Sequence, residues 1–110
     1  MSNPSKARGD RAELEVQGLL REHLGVPARR ALGAGRKDDI GDISGVPNTV
    51  IQVANYSNIT TAVREKPAQC VTQQARAGAQ FGATFVRLRG GDYRVVLTPA
   101  QFFELWREAA

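Results

Sequence analysis

Asp42 stands directly after a glycine in Gly41-Asp42-Ile43, and ten residues later Gln52 interrupts the apolar run Thr49-Val50-Ile51-Gln52-Val53-Ala54-Asn55. A carboxylate at the end of a short strand can hold Mg²⁺, a hard cation that takes oxygen ligands and keeps several waters. An Asp in such a place also commonly caps a turn and does nothing more. Side chains alternate along a strand, so Gln52 and Ala54 share one face, and Ile51 and Val53 share the other. An amide in so apolar a strand demands a hydrogen-bonding role. If it faces the same cleft as Asp42, its carbonyl oxygen is a weak, neutral metal ligand. Glu13 is the third candidate. It lies beside the helical apolar stripe Ala12, Val16 and Leu20, so it points toward the sheet more than toward water. A half-buried acid needs a partner, either a metal and its water or a cation such as Arg8 or Arg11.

The elements that must position these residues follow from patterning. Ala12, Val16, Leu19, Leu20 and Leu24 recur at helical spacing and predict a helix over 6–24, stopped by Gly25, with 1–5 as a frayed lead-in. A short strand at 29–32 precedes a glycine-rich charged loop over 33–39. Strands at 40–43 and 49–55 form a hairpin across 44–48. A second helix fills 62–81 and ends at Gly82, with Pro67 placing its true start close to Glu65. Strands at 84–89 and 93–97 join at Gly90-Gly91-Asp92, and Thr98 caps a last helix that begins at Pro99. The order α-β-β-β-α-β-β-α predicts an α/β chain, a mixed β-sheet flanked by helices, with 1–110 as a single domain.

Composition narrows the chemistry. The chain of 110 residues carries a net charge of +4, and twelve of its fifteen basic residues are arginines. The planar guanidinium fork suits phosphate, which makes a nucleic-acid partner plausible; a solvated basic surface accounts for the charge equally well. One cysteine, Cys70, excludes an internal disulfide and a cysteine-rich zinc cluster, and one histidine, His23, excludes histidine-pair metal sites. No apolar run has the length of a membrane span and the N-terminus lacks a signal-peptide core, so a cytoplasmic protein with no membrane partner is expected.

Taken in order, these residues resemble a small Holliday junction resolvase of the PD-(D/E)XK nuclease superfamily, most like short versions from actinobacterial phages. The family's basic-Gly-x-x-x-Glu helix start is matched by Arg8-Gly9-Asp10-Arg11-Ala12-Glu13. Its Gly/Arg loop and Gly-Asp-Ile/Val element are matched by Ala34-Gly35-Arg36 and Gly41-Asp42-Ile43. Its Glu-x-Lys strand corresponds to Gln52-Val53-Ala54, followed by Asn55. The resemblance spans roughly 6–108. It implies a restriction-endonuclease-like fold and a DNA endonuclease of recombination that acts on four-way junctions or other branched DNA with Mg²⁺ (or Mn²⁺). It also implies a homodimer in a bacterial cytoplasm, as a phage or bacterial protein. Glu13, Asp42 and Gln52 take the catalytic and metal positions, Ala54 takes the lysine position, and Arg8, Arg11, Arg36 and Lys37 become the DNA contacts.

Two positions depart from the family pattern. Gln52 keeps an oxygen donor without the charge, and Ala54 keeps nothing. Losing a water-activating group typically removes about 10²–10⁴ in rate. The departure is consistent with an inactive junction-binding protein of the same fold, with replacement of the lysine by Lys37 or Lys66, or with an altered chain. A module that reuses the fold for protein interaction is a third function class. Gln52→Glu with Ala54→Lys is expected to raise cleavage. Gln69, Gln73, Gln74, Arg76 and Gln80 are expected on a wet helix face. Phe102, Phe103 and Trp106 are expected in the core or at a dimer interface, and Leu14 faces away from the core.

Overall fold

The computed structural model describes residues 4–31 and 41–110; the expected loop over 33–39, with Arg36 and Lys37, lies outside them. Helix α1 (Pro4–Leu24) leads into strands β1 (Arg29–Arg30), β2 (Ile43–Ser44) and β3 (Thr49–Ala54). Helix α2 (Ile59–Ala77), strands β4 (Phe81–Arg87) and β5 (Tyr93–Val96), and helix α3 (Pro99–Ala109) follow. The strands form one sheet in the order β1-β2-β3-β4-β5. Only β3 and β4 run parallel, and α2 is the crossover that this pairing requires. The chain is therefore a mixed α/β fold, a five-stranded mixed sheet flanked by three helices.

The two faces of β3 define two cores. Ile51 and Val53 pack with Ala12, Val16 and Leu20 of α1, together with Ala28 and Ile43. Ala54 packs on the other face, with Ala62 of α2 and Val86 of β4. The 3.6-residue spacing of α1 and the two-residue spacing of β3 meet here to close a helix-on-sheet layer.

Helix α2 begins earlier than its composition predicts. Asn58 is the N-cap, its side chain accepting from the Thr61 N–H, and Pro67 sits inside the helix rather than near its start. The proline offers no N–H to the carbonyl one turn earlier. Burial of Ala62, Pro67, Cys70 and Gln73 against the sheet outweighs that lost bond. The helix closes at Gly78, in the left-handed conformation, and β4 starts where the sequence pattern continues the helix. Asn58→Ala should lower stability by about 1 kcal/mol, read as a shifted denaturant midpoint at unchanged slope.

Helix α3 starts at Pro99 behind a capping box of Thr98 and Gln101. Its inward residue is Gln101, whose amide donates to Gln74 Oε1 at 2.7 Å. Phe102, Phe103 and Trp106 are 51%, 54% and 62% exposed, so none of them enters the core. Leu14 is exposed, as its helical position requires. Among the described residues no helix is long and apolar enough to cross a membrane.

Candidate functional site

Asp42 is placed by the backbone on both sides of it. Gly41 adopts φ +112°, and a Cβ there would lie 3.0 Å from the Ile51 carbonyl oxygen and from the Val50 side chain, so the position suits glycine. The Asp42 N–H then donates to Ile51 O and its carbonyl accepts from Ala31 N–H, both at 2.8 Å. Its carboxylate reaches one step along β3 and accepts from the Val53 N–H at 2.9 Å. A turn-capping Asp would spend its oxygens on its own loop; this one is tied across to the central strand.

Helix α1 brings Glu13 to the same place. Asp42, Glu13, Arg8, Asn55 and Lys66 line one cavity of about 370 Å³. Lys66 comes from α2, and its Nζ lies 3.8 Å from Asp42 Oδ2 with both side chains largely buried. Asn55 ties the end of β3 to the start of α1 by donating to the Arg8 carbonyl at 3.0 Å. Arg30 of β1 is the cation that Glu13 needed: its Nε donates to Glu13 Oε1 at 3.1 Å, and it also pairs with Asp10. Burial, and then the charge of Asp42, push the Glu13 carboxyl upward, with Arg30 opposing them.

The other expected site residues fall elsewhere. Gln52 is 1% exposed and lies on the α2 face of β3, where its amide donates to Gln73 Oε1. It does not line the cavity that holds Asp42 and Glu13. Ala54 shares that face and is 1% exposed. Alternation correctly groups Gln52 with Ala54, but the residue beside the Asp42 carboxylate is Val53. The same contact corrects the wet reading of the α2 glutamines, because Gln73 is buried. Arg8 lines the cavity, whereas Arg11 lies beside Glu15, 3.6 Å away on the same helix.

A polar clamp holds α1 in position over the sheet. Glu15 Oε1 accepts from Arg87 Nε at 2.8 Å and from the Tyr93 hydroxyl at 2.7 Å. Arg87, and then Tyr93, hold the Glu15 carboxyl below the usual carboxylate range, and Tyr93 is pushed upward by burial and by Glu15. A lowered folded-state pKa stabilises the fold at neutral pH, and this contribution is lost as pH falls through the depressed range. The stability gap between the wild type and Glu15→Gln should therefore be widest near neutrality and narrow on acidification, as measured by urea midpoints across pH.

Comparison with protein-family models, curated proteins and solved structures finds no significant match. The chemistry is read from the cavity. Two carboxylates and one ammonium, from α1, from the residue just before β2 and from α2, surround solvent-accessible space that an exposed arginine also lines. Hard oxygen donors beside a fixed ammonium suit a phosphate and its counter-cation. Among the described residues no group of three or more His, Cys, Asp or Glu side chains is placed to hold a metal, and Glu13 and Asp42 are the carboxylates that line this cavity. Composition suggested the arginines but not Arg30's place, and only the α2 register reveals Lys66 as the neighbour of Asp42.

Proposed function

We propose that this chain is a Holliday junction resolvase-like endonuclease, hydrolysing phosphodiesters of branched DNA with Mg²⁺. One observation carries the reading: Lys66 Nζ lies 3.8 Å from Asp42 Oδ2, in a cavity that Glu13 and Arg8 also line. The pattern it resembles joins two acids to a lysine; on this reading Glu13 stands in for the acid absent at Gln52, and Lys66 of α2 for the lysine absent at Ala54. Asp42 and Glu13 fit Mg²⁺, which commonly takes one or two carboxylates and completes its shell with waters and substrate phosphate. The chemistry supplied by the metal is polarisation of the phosphodiester and acidification of water. Lys66 orients the attacking water or neutralises charge on the phosphate, and Arg8 holds the strand at the rim. The fold is taken as restriction-endonuclease-like, and the protein as a cytoplasmic one of a phage or bacterium. A homodimer suits the two-fold symmetry of a four-way junction, and the exposed aromatics of α3 offer apolar surface for it.

A second reading rests on Arg30. Its pairing with Glu13 uses one of the two carboxylates that line the cavity among the described residues. On that ground the same site binds the phosphate backbone of a junction without cutting it. Incubation of a synthetic four-way junction with Mg²⁺ or Mn²⁺, beside a linear duplex, separates the two. Metal-dependent nicking supports the endonuclease, a shifted but uncut junction supports binding alone, and no salt-sensitive DNA binding removes both.

A further inference from the structure

A second cavity, of about 400 Å³, adjoins the first and shares Arg8, Asn55, Tyr56 and Ser57 with it. Its far wall is the β4–β5 hairpin, which contributes Arg87 and Arg89. The two cavities differ in charge. Among the described residues, Glu13 and Asp42 line the first, whereas no acidic residue lines the second. We propose that this second cavity is a strand-binding subsite, in which Arg89 and Arg8 hold a neighbouring phosphate of the nucleic-acid strand and the Tyr56 ring stacks on its base.

The hairpin is built for this. The Leu88 N–H donates to Asp92 O at 2.7 Å, which carries the ladder one step past β4. Arg89 then enters a turn closed by the Gly91 N–H donating to Leu88 O at 3.0 Å, and it lines the cavity together with Arg87. Arg87 is held in place by Glu15, while Arg89 is exposed and has no acidic partner among the described residues. Arg8 is likewise exposed and without such a partner among those residues. Two arginines without an acidic partner among the described residues, a fixed third and an accessible aromatic ring combine an electrostatic groove with a stacking platform. Because, among the described residues, acids line the first cavity and not the second, the strand is expected to leave the reacting phosphate toward the hairpin. The subsite rests on the proposed nucleic-acid function and adds residues that the sequence motifs do not contain.

The test is equilibrium binding of a fluorescent oligothymidylate and of a labelled four-way junction across a NaCl series, without divalent metal. Arg89→Ala should weaken both by about tenfold and reduce the slope of log K against log salt by about one unit. Tyr56→Ala should weaken both by about tenfold at unchanged slope, whereas Tyr56→Phe stays within about twofold. Arg107→Ala, on α3 and paired with Glu104, is the charge control and should change affinity by less than about twofold. Equal losses for Arg89→Ala and Arg107→Ala would mean diffuse charge attraction and overturn the subsite. So would unchanged affinity in both Arg89→Ala and Tyr56→Ala, leaving the proposed function standing. Competition by inorganic phosphate as effective as by the oligonucleotide would reduce the site to a free-anion site and overturn the strand. A wild-type protein that binds neither probe would overturn both the subsite and the function it rests on. Intact binding with the expected variant losses, but no cleavage when Mg²⁺ is added, supports the subsite and removes only the hydrolytic step.

Discussion

Lys66→Met should reduce Mg²⁺-dependent nicking of a four-way junction by about 10²–10⁴ while leaving junction affinity within about threefold. The reason is positional. Lys66 is the ammonium beside Asp42 in the cavity, and its place on α2 is set by the Asn58 cap, which does not depend on the lysine. Methionine keeps the aliphatic stem and removes the charge. Asp42→Asn should give a comparable loss, because an amide oxygen can still accept from the Val53 N–H while the anionic ligand is gone. A single-turnover time course of cut product checks both variants. Cleavage at wild-type rate in Lys66→Met would show that α2 does not supply the missing lysine. Cleavage at wild-type rate in Asp42→Asn would place the chemistry outside this cavity.

The second large effect is on stability, and it reverses the expectation drawn from the motif. Introducing the residues of the resolvase pattern by Gln52→Glu and Ala54→Lys should unfold the domain rather than activate it. Ala54 is 1% exposed and packs against Ala62 and Val86 beneath α2. A lysine there overfills the layer and takes an ammonium out of water at a cost that a carboxylate at position 52 offsets only in part, a loss on the order of 3–5 kcal/mol. For a chain of this size that corresponds to a fall in Tm of roughly 15 °C or more. Gln52→Glu adds a carboxylate facing the amide of Gln73 in the same layer. Thermal unfolding followed by circular dichroism decides the matter. A double variant that melts within a few degrees of the wild type and cuts junctions faster would show that both side chains can swing into the cleft, and would restore the motif-based site.

The sequence by itself determined the element order, because that order rests on local signals. Apolar residues three and four apart specified α1, Thr98-Pro99 marked the start of α3, and Gly90-Gly91-Asp92 turned the last hairpin. Asp42 was singled out as a carboxylate after a glycine at a strand end, where a turn cap was an equally open role; Gly41's positive φ and the bond to Val53 emerged only with the fold. Boundaries were less legible where two local rules competed. Pro67 argued for a late helix start, but the Asn58 cap and the burial of the α2 face prevailed. Only the tertiary structure decided which face of β3 met the acid cavity. A two-residue period groups Gln52 with Ala54 yet carries no information about whether α1 or α2 covers them. That choice is made by long-range packing: Ile51 and Val53 match the stripe of α1, and the small Ala54 fits beneath Ala62. Lys66 was one of two candidate lysines in the sequence, but its pairing with Asp42, and Arg30's with Glu13, were hidden for the same reason. Arg30 and Lys66 reach Glu13 and Asp42 from other elements, seventeen and twenty-four residues away along the chain, and no local pattern records a contact made by sheet register and helix docking.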